Sequence, residues 1–205
     1  MSLPPSIPRA IALFLAAAAL CGLVCGAATL DFRLGFIFNG SETSITEFTQ
    51  CVLGAIISAS LFISAARRPD LRGGLLLGAG FFLCIVIREN DGLFDLIHHG
   101  FWFPVALAAA AVILALAWKN RSSVRAGLEA LCNSRTAALL AVGLALLLVF
   151  SRIFGSKAFW TTAGLYQASR AIKTAAEESL ELLAYSFLGL WSLLTLRALP
   201  PRAPS

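Results

Sequence analysis

Charged residues are scarce in this sequence. Only 13% of its 205 residues are Asp, Glu, Lys or Arg, 59% are hydrophobic, and the mean hydropathy is +0.83. Soluble domains carry about 25% charged residues, so the shortage excludes an ordinary water-soluble chain and points to a membrane protein. Methionine is reduced to the initiator, which removes the thioether ligands a copper site would want. No two of the five cysteines, Cys21, Cys25, Cys51, Cys84 and Cys132, are spaced C-x-x-C. The nearest pair, Cys21 and Cys25, lies within apolar sequence, so the cysteines read as small packing residues rather than a redox centre. The P-loop, G-x-S-x-G and H-E-x-x-H signatures are missing, and no His-x-x-x-His pair occurs. The net charge of +5 comes with short basic loops that lack interleaved aromatics, which excludes a nucleic-acid surface.

Long apolar runs are what is present. A run of about 20 residues, rising 1.5 Å each, crosses a hydrocarbon layer of roughly 30 Å. Six such runs are bounded by charge, at about 10–30, 45–66, 73–88, 101–118, 136–154 and 180–198. In lipid every backbone amide needs an internal partner, which leaves helices or a closed barrel. Continuous Leu, Ala and Val without alternation excludes the barrel. The expected fold is therefore all-α: one six-helix transmembrane domain over 1–205, with an interfacial segment at about 157–176. In that segment Trp160, Leu165, Tyr166 and Ile172 alternate with Lys157, Arg170 and Lys173, a pattern suited to a helix lying in the headgroup plane and gripping lipid phosphate. The first run resembles a secretory leader in outline, with Arg9 ahead of apolar and small residues, but it is long enough to span and is read as retained.

The basic residues set the orientation. With both termini inside, Arg9, Arg67, Arg68, Arg72, Lys119, Arg121, Arg125, Arg135, Arg197 and Arg202 are cytoplasmic, ten of 16 positive residues, as the positive-inside rule requires. The same assignment puts nine of the 11 acids and both histidines outside. A bacterial inner membrane with an acidic, periplasmic face is the expected location.

Three outer segments bring together side chains that suggest chemistry. RENDGLFDLIHHGFWFP, residues 88–104, carries Arg88, Glu89, Asp91, Asp95, His98 and His99. Asp91 and Asp95 are four apart and the histidines come within one turn, so Asp91, Asp95, His98 and His99 are the candidate ligands for a divalent metal such as zinc. In TAAEESLELLAYSF, Glu177, Glu178, Glu181 and Tyr185 share a helical face, and Glu181 lies deepest, where a carboxylate in a span is a functional candidate by default. In SITEFTQ, Ser44 or Thr46 is placed to cap the second span, with Glu47 in its first turn. If these spans converge, Glu89, Asp91 and Glu181 are the candidate catalytic acids and bases, with Glu47, Arg88, Glu177, Glu178 and Tyr185 as substrate or ion-pair groups. Arg88 is the first expected partner for Glu181, and His98 or His99 the next. Two function classes emerge: an enzyme acting on a lipid or lipid-linked substrate at the outer leaflet, or a non-enzymatic component that binds a membrane protein partner or, less favoured, transports.

Overall fold

The computed structural model describes residues 7–35, 44–132, 135–162 and 169–199. These form helices and turns, with no strand among the described residues. In chain order the helices are α1 (Ile7–Leu34), α2 (Ile45–Arg67), α3 (Arg72–Glu89), the single-turn α4 (Asp91–Asp95), α5 (Trp102–Lys119), α6 (Val124–Leu131), α7 (Ala137–Phe154), the short α8 (Lys157–Thr162) and α9 (Ser169–Arg197).

Five of the six long helices, α1, α2, α5, α7 and α9, are long and apolar enough to cross a membrane. The chain is an all-α polytopic membrane protein. α3 has the length, 18 residues, but carries Arg72, Arg88 and Glu89 at its two ends. Its apolar centre is walled by neighbours, since α2 and α5 flank it and α6 folds against its first turns. Expected as a span equivalent to the others, α3 is not among the five helices long and apolar enough to cross, because its ends are charged.

The bundle is built around α2 and α9. α9 contacts α1, α2 and α7, while α2 contacts α1, α3 and α9. In the apolar window of α9, 44% of residues are buried, against 11% for α1 and α5, so α9 is central and the other two are peripheral. Their large outward side chains, such as Phe14 and Trp118, each above 70% exposed, would be anomalous in water and are natural against lipid. The core runs through Ile57, Leu61, Leu75, Phe82, Leu188 and Trp191, with the Phe82 and Trp191 rings 5.8 Å apart. Hydroxyls stitch the helices together. Ser58 donates to the Ala79 carbonyl at 2.9 Å, and Thr136 and Thr195 lie 2.8 Å apart, the kind of contact that joins helices where no hydrophobic drive separates them from lipid.

Two expected boundaries shift. The last helix, expected to begin near Ala176 ahead of its apolar run, starts by Ser169, so the acids 177–181 lie well inside a 29-residue helix and not at its entrance. The interfacial segment expected at 157–176 is divided between α8 and the first turns of α9, with 163–168, including Leu165 and Tyr166, outside the described residues. The reason is propensity: Ala171, Ala175 and Ala176 interleave with Lys173 and Thr174, and alanine-rich sequence extends a helix instead of ending it.

Candidate functional site: a carboxylate-lined cavity

One end of the bundle gathers the last turns of α1, α3 and α7, the first turns of α2 and the stretch of α9 from Thr174 to Glu181. The opposite end carries Arg67, Arg68, Arg72, Lys119, Arg121, Arg125 and Arg197. Most acids therefore lie at the first end and most bases at the second, although Arg33, Arg88, Arg152, Lys157 and Lys173 share the acidic end and Asp70 and Glu129 the basic one.

Asp31, in the last turn of α1, is fully buried. Its carboxylate accepts the backbone N–H of Ile45 at 2.7 Å and of Thr46 at 3.0 Å, the first amides of α2, which have no intrahelical partners. Ser44 is the N-cap of α2. Its hydroxyl accepts the Glu47 N–H at 3.0 Å, and the Glu47 carboxylate accepts the Ser44 N–H at 3.3 Å, a complete capping box. The Thr46 hydroxyl lies 2.7 Å from both Asp31 Oδ2 and Glu178 Oε2. A hydroxyl carries one proton, so it can donate to one of them only, and the Ser44 hydroxyl completes the cluster, 3.0 Å from Thr46 Oγ1 and donating to Glu178 Oε2 at 3.4 Å. Gln50, also buried, donates to the Glu178 carbonyl at 2.8 Å. α1, α2 and α9 are thus pinned at one point.

Beside this pin lies a cavity of about 220 Å³, lined by Glu47, Gln50, Cys51, Arg88, Glu89, Asp91, Arg152, Thr174, Glu177, Glu178 and Glu181. All three catalytic candidates, Glu89, Asp91 and Glu181, border it, as do Glu47, Arg88, Glu177 and Glu178. Tyr185 does not border it. Its ring is fully buried one turn beneath Glu181, packed by Gly54, where an added Cβ would stand 3.2 Å from the ring and 2.7 Å from Val86. Glycine at 54 is what lets α2, α3 and α9 meet this closely under the cavity.

Arg152 is the residue that sequence reasoning missed. It pairs with Glu181 and with Glu177, at 3.4 Å to the latter, so the Glu181 partner is Arg152 and neither Arg88, His98 nor His99. Arg88 instead bonds its neighbour Glu89 at 3.0 Å. Gly155, just past α7, makes room for the Glu177 carboxylate, which a side chain at 155 would strike. Lys173 approaches Glu177 from the rim at 3.9 Å. The signal for Arg152 is hidden because α7 contains a π-helical turn, Leu146–Phe150. Its wider winding shifts the register of every later residue in the helix, and the turn of Ser151 and Arg152 comes next.

The expected metal ligands do not gather. Among the described residues no three His, Cys, Asp and Glu side chains form a group able to hold a metal ion. Asp91 borders the cavity, whereas Asp95 closes the loop beyond α4. It accepts the Gly100 N–H at 2.8 Å and meets His99 Nδ1 at 2.7 Å, with Gly100 at φ +80° completing the turn. The Gly100 amide and then His99 hold the Asp95 carboxyl below the usual carboxylate range. His98 and His99 are exposed. The pair Asp95 and His99 serves the loop, and that local demand overrides the ligand pattern read from spacing.

A second hollow, about 610 Å³, adjoins the first and shares Glu47, Cys51, Glu89 and Asp91 with it. Its remaining wall includes Ile45, Phe48, Asn90, Gly92, Leu93 and Leu96. Phe48, Leu93 and Leu96 are 72%, 66% and 83% exposed, so this is an apolar groove on the outside of the bundle, beside the polar chamber. Fold and site together define a class: a polytopic helical membrane protein with a carboxylate-lined cavity at one end of its bundle. Comparison with family models, characterised proteins and solved structures finds no match.

Proposed function

We propose that this protein binds a lipid or lipid-linked substrate at one membrane face and acts on it by acid–base chemistry, with Glu89, Asp91 and Glu181 as the reacting carboxyl groups. The observation that carries this reading is that the polar cavity lies beside the apolar groove, the two sharing four wall residues. An amphiphile has that shape: a head for the chamber and a chain for the groove. Placement in a bacterial inner membrane, acidic face to the periplasm, belongs to the same reading and is supported by the sorting of basic residues to the opposite helix ends.

A partner-binding role is the second reading, favoured by the local satisfaction of Glu89 by Arg88 and of Glu181 by Arg152. One experiment separates the two. Purified protein and its Glu89→Gln, Asp91→Asn and Glu181→Gln variants are incubated with a total bacterial lipid extract, and the lipids are resolved by mass spectrometry. Conversion of a species by the wild type and not by a folded variant supports the enzyme. Retention without conversion favours the binding role, and neither retention nor conversion removes lipid from the account.

A further inference from the structure

The charge of the cavity narrows the head group. Resting on the reading that an amphiphile occupies cavity and groove together, we infer that its head carries a positive charge, as a primary amine or other ammonium group, and not a phosphate or carboxylate.

Six carboxylates border the chamber, and among the described residues of its wall only Arg88 and Arg152 oppose them. Both guanidiniums are already engaged, Arg88 by Glu89 and Arg152 by Glu177 and Glu181. An anionic head would have to compete with those carboxylates for either arginine and would face an excess of acids. A cationic head gains from that excess, because a recess lined by one sign of charge concentrates the opposite sign. An ammonium brings only donors, which matches walls made chiefly of acceptors.

A second observation lies just beneath the same chamber. The Tyr185 hydroxyl is fully buried and has no hydrogen-bond partner among the described residues, and buried hydroxyls are rarely left so. Side chains on a helix lean toward its N-terminus. For α9 that direction runs from Tyr185 toward Glu181 and the cavity. Tyr185 does not line the chamber, so its hydroxyl is an unfilled polar group one turn beneath it.

Size agrees as well. At about 220 Å³ the chamber is below the roughly 300–1,000 Å³ of drug-sized sites and suits a small head, whereas the groove, at about 610 Å³, falls within that range and suits a chain.

The test uses three amphiphiles with one tail: hexadecylamine, hexadecanol and hexadecyl phosphate. Each is offered to delipidated protein, and native mass spectrometry counts the adducts. The amine adduct should exceed the phosphate adduct by about tenfold or more, the scale of a charge-assisted contact. Asp91→Asn should reduce that preference while keeping the hexadecanol adduct. Leu93→Asn, in the groove, should reduce all three alike. Equal or better retention of the phosphate overturns the cationic head and leaves the amphiphile site standing. So does an amine preference that Asp91→Asn and Tyr185→Phe both leave intact, because that would be attraction to the acidic surface at large. No retention of any of the three overturns the amphiphile reading and the inference with it.

Discussion

Asp31 lies in the last turn of α1, where the exposed carbonyls of the helix end disfavour a negative charge by about 0.3–1 kcal/mol. Its compensation comes from another helix, the first amides of α2. That mismatch is a signal available in the sequence: an acid at the wrong end of its own helix serves something else. Asp31 accepts two backbone amides, whereas the Glu178 carboxylate accepts side-chain hydroxyls. Glu178→Gln keeps an oxygen that can accept the Thr46 hydroxyl, so its melting temperature in detergent should stay near that of the wild type. Asp31→Asn turns an acceptor into a donor opposite donors and should cost about 1–3 kcal/mol, visible as a clear drop. Equal losses in both variants would refute this ranking of the two acids. Glu181 and Arg152 behave differently. Arg152→Met leaves a carboxylate at 5% exposure without its cation, a loss toward the lower part of the about 3–5 kcal/mol of a broken buried pair, because Arg152 keeps 36% side-chain exposure. Adding Glu181→Gln to Arg152→Met should restore part of that loss, and a double variant no better than Arg152→Met alone would argue that the arginine acts through packing only.

At the scale of elements, the π-helical turn of α7 places about one extra residue ahead of Arg152. An α-helix rotates about 100° per residue, as 3.6 residues per turn imply. Deleting Leu148, 48% exposed within Leu146–Phe150, should return the helix to regular winding and leave Arg152 aimed at α9, because the π-turn holds about one extra residue per turn. The expected result is that Arg152→Met costs as much stability in the deletion variant as in the full-length chain. A deletion that by itself carries the Arg152→Met loss, with nothing further lost when the two are combined, would show that the arginine's aim depends on more than the extra residue. The same turn separates the legible parts of the molecule from the hidden ones. Helices α1, α2, α5 and α7 can be read directly from apolar runs bounded by charge, and the meeting of Glu47, Glu89, Asp91 and Glu181 can be read from acids placed at one set of helix ends. The partner of Glu181 was not legible, because periodicity assumes regular winding and a π-turn breaks it. Nor was the fate of His98 and His99, since their spacing from Asp95 fits a ligand set and a loop closure equally well.

For the whole molecule, the sorting of charge makes the strongest demand. The acids border a cavity formed by helix ends that alternate in chain direction: α1, α3 and α7 arrive there and α2 and α9 depart. The arginines and lysines of 67–72 and 119–125 occupy the connections at the far end. If basic loops stay in the cytoplasm, the cavity opens on the opposite side, and α3 must cross even though Arg72, Arg88 and Glu89 make it the most polar-ended of the long helices. Reporter fusions after Arg72, Asp91, Arg125 and Lys157 should then read inside, outside, inside and outside. The pair at Arg72 and Asp91 tests α3 alone. If both read the same, α3 is a helix held within the bundle that does not span, and the chamber that its end helps to build cannot open on the outer face. An outside reading after Arg125 would invert the whole assignment and move the carboxylate cavity to the cytoplasmic leaflet, where the lipid substrates on offer differ. Opposite readings after Arg72 and Asp91, with Arg125 inside, would require α3 to be a true span whose terminal charges reach the two headgroup layers, as long arginine side chains at helix ends can.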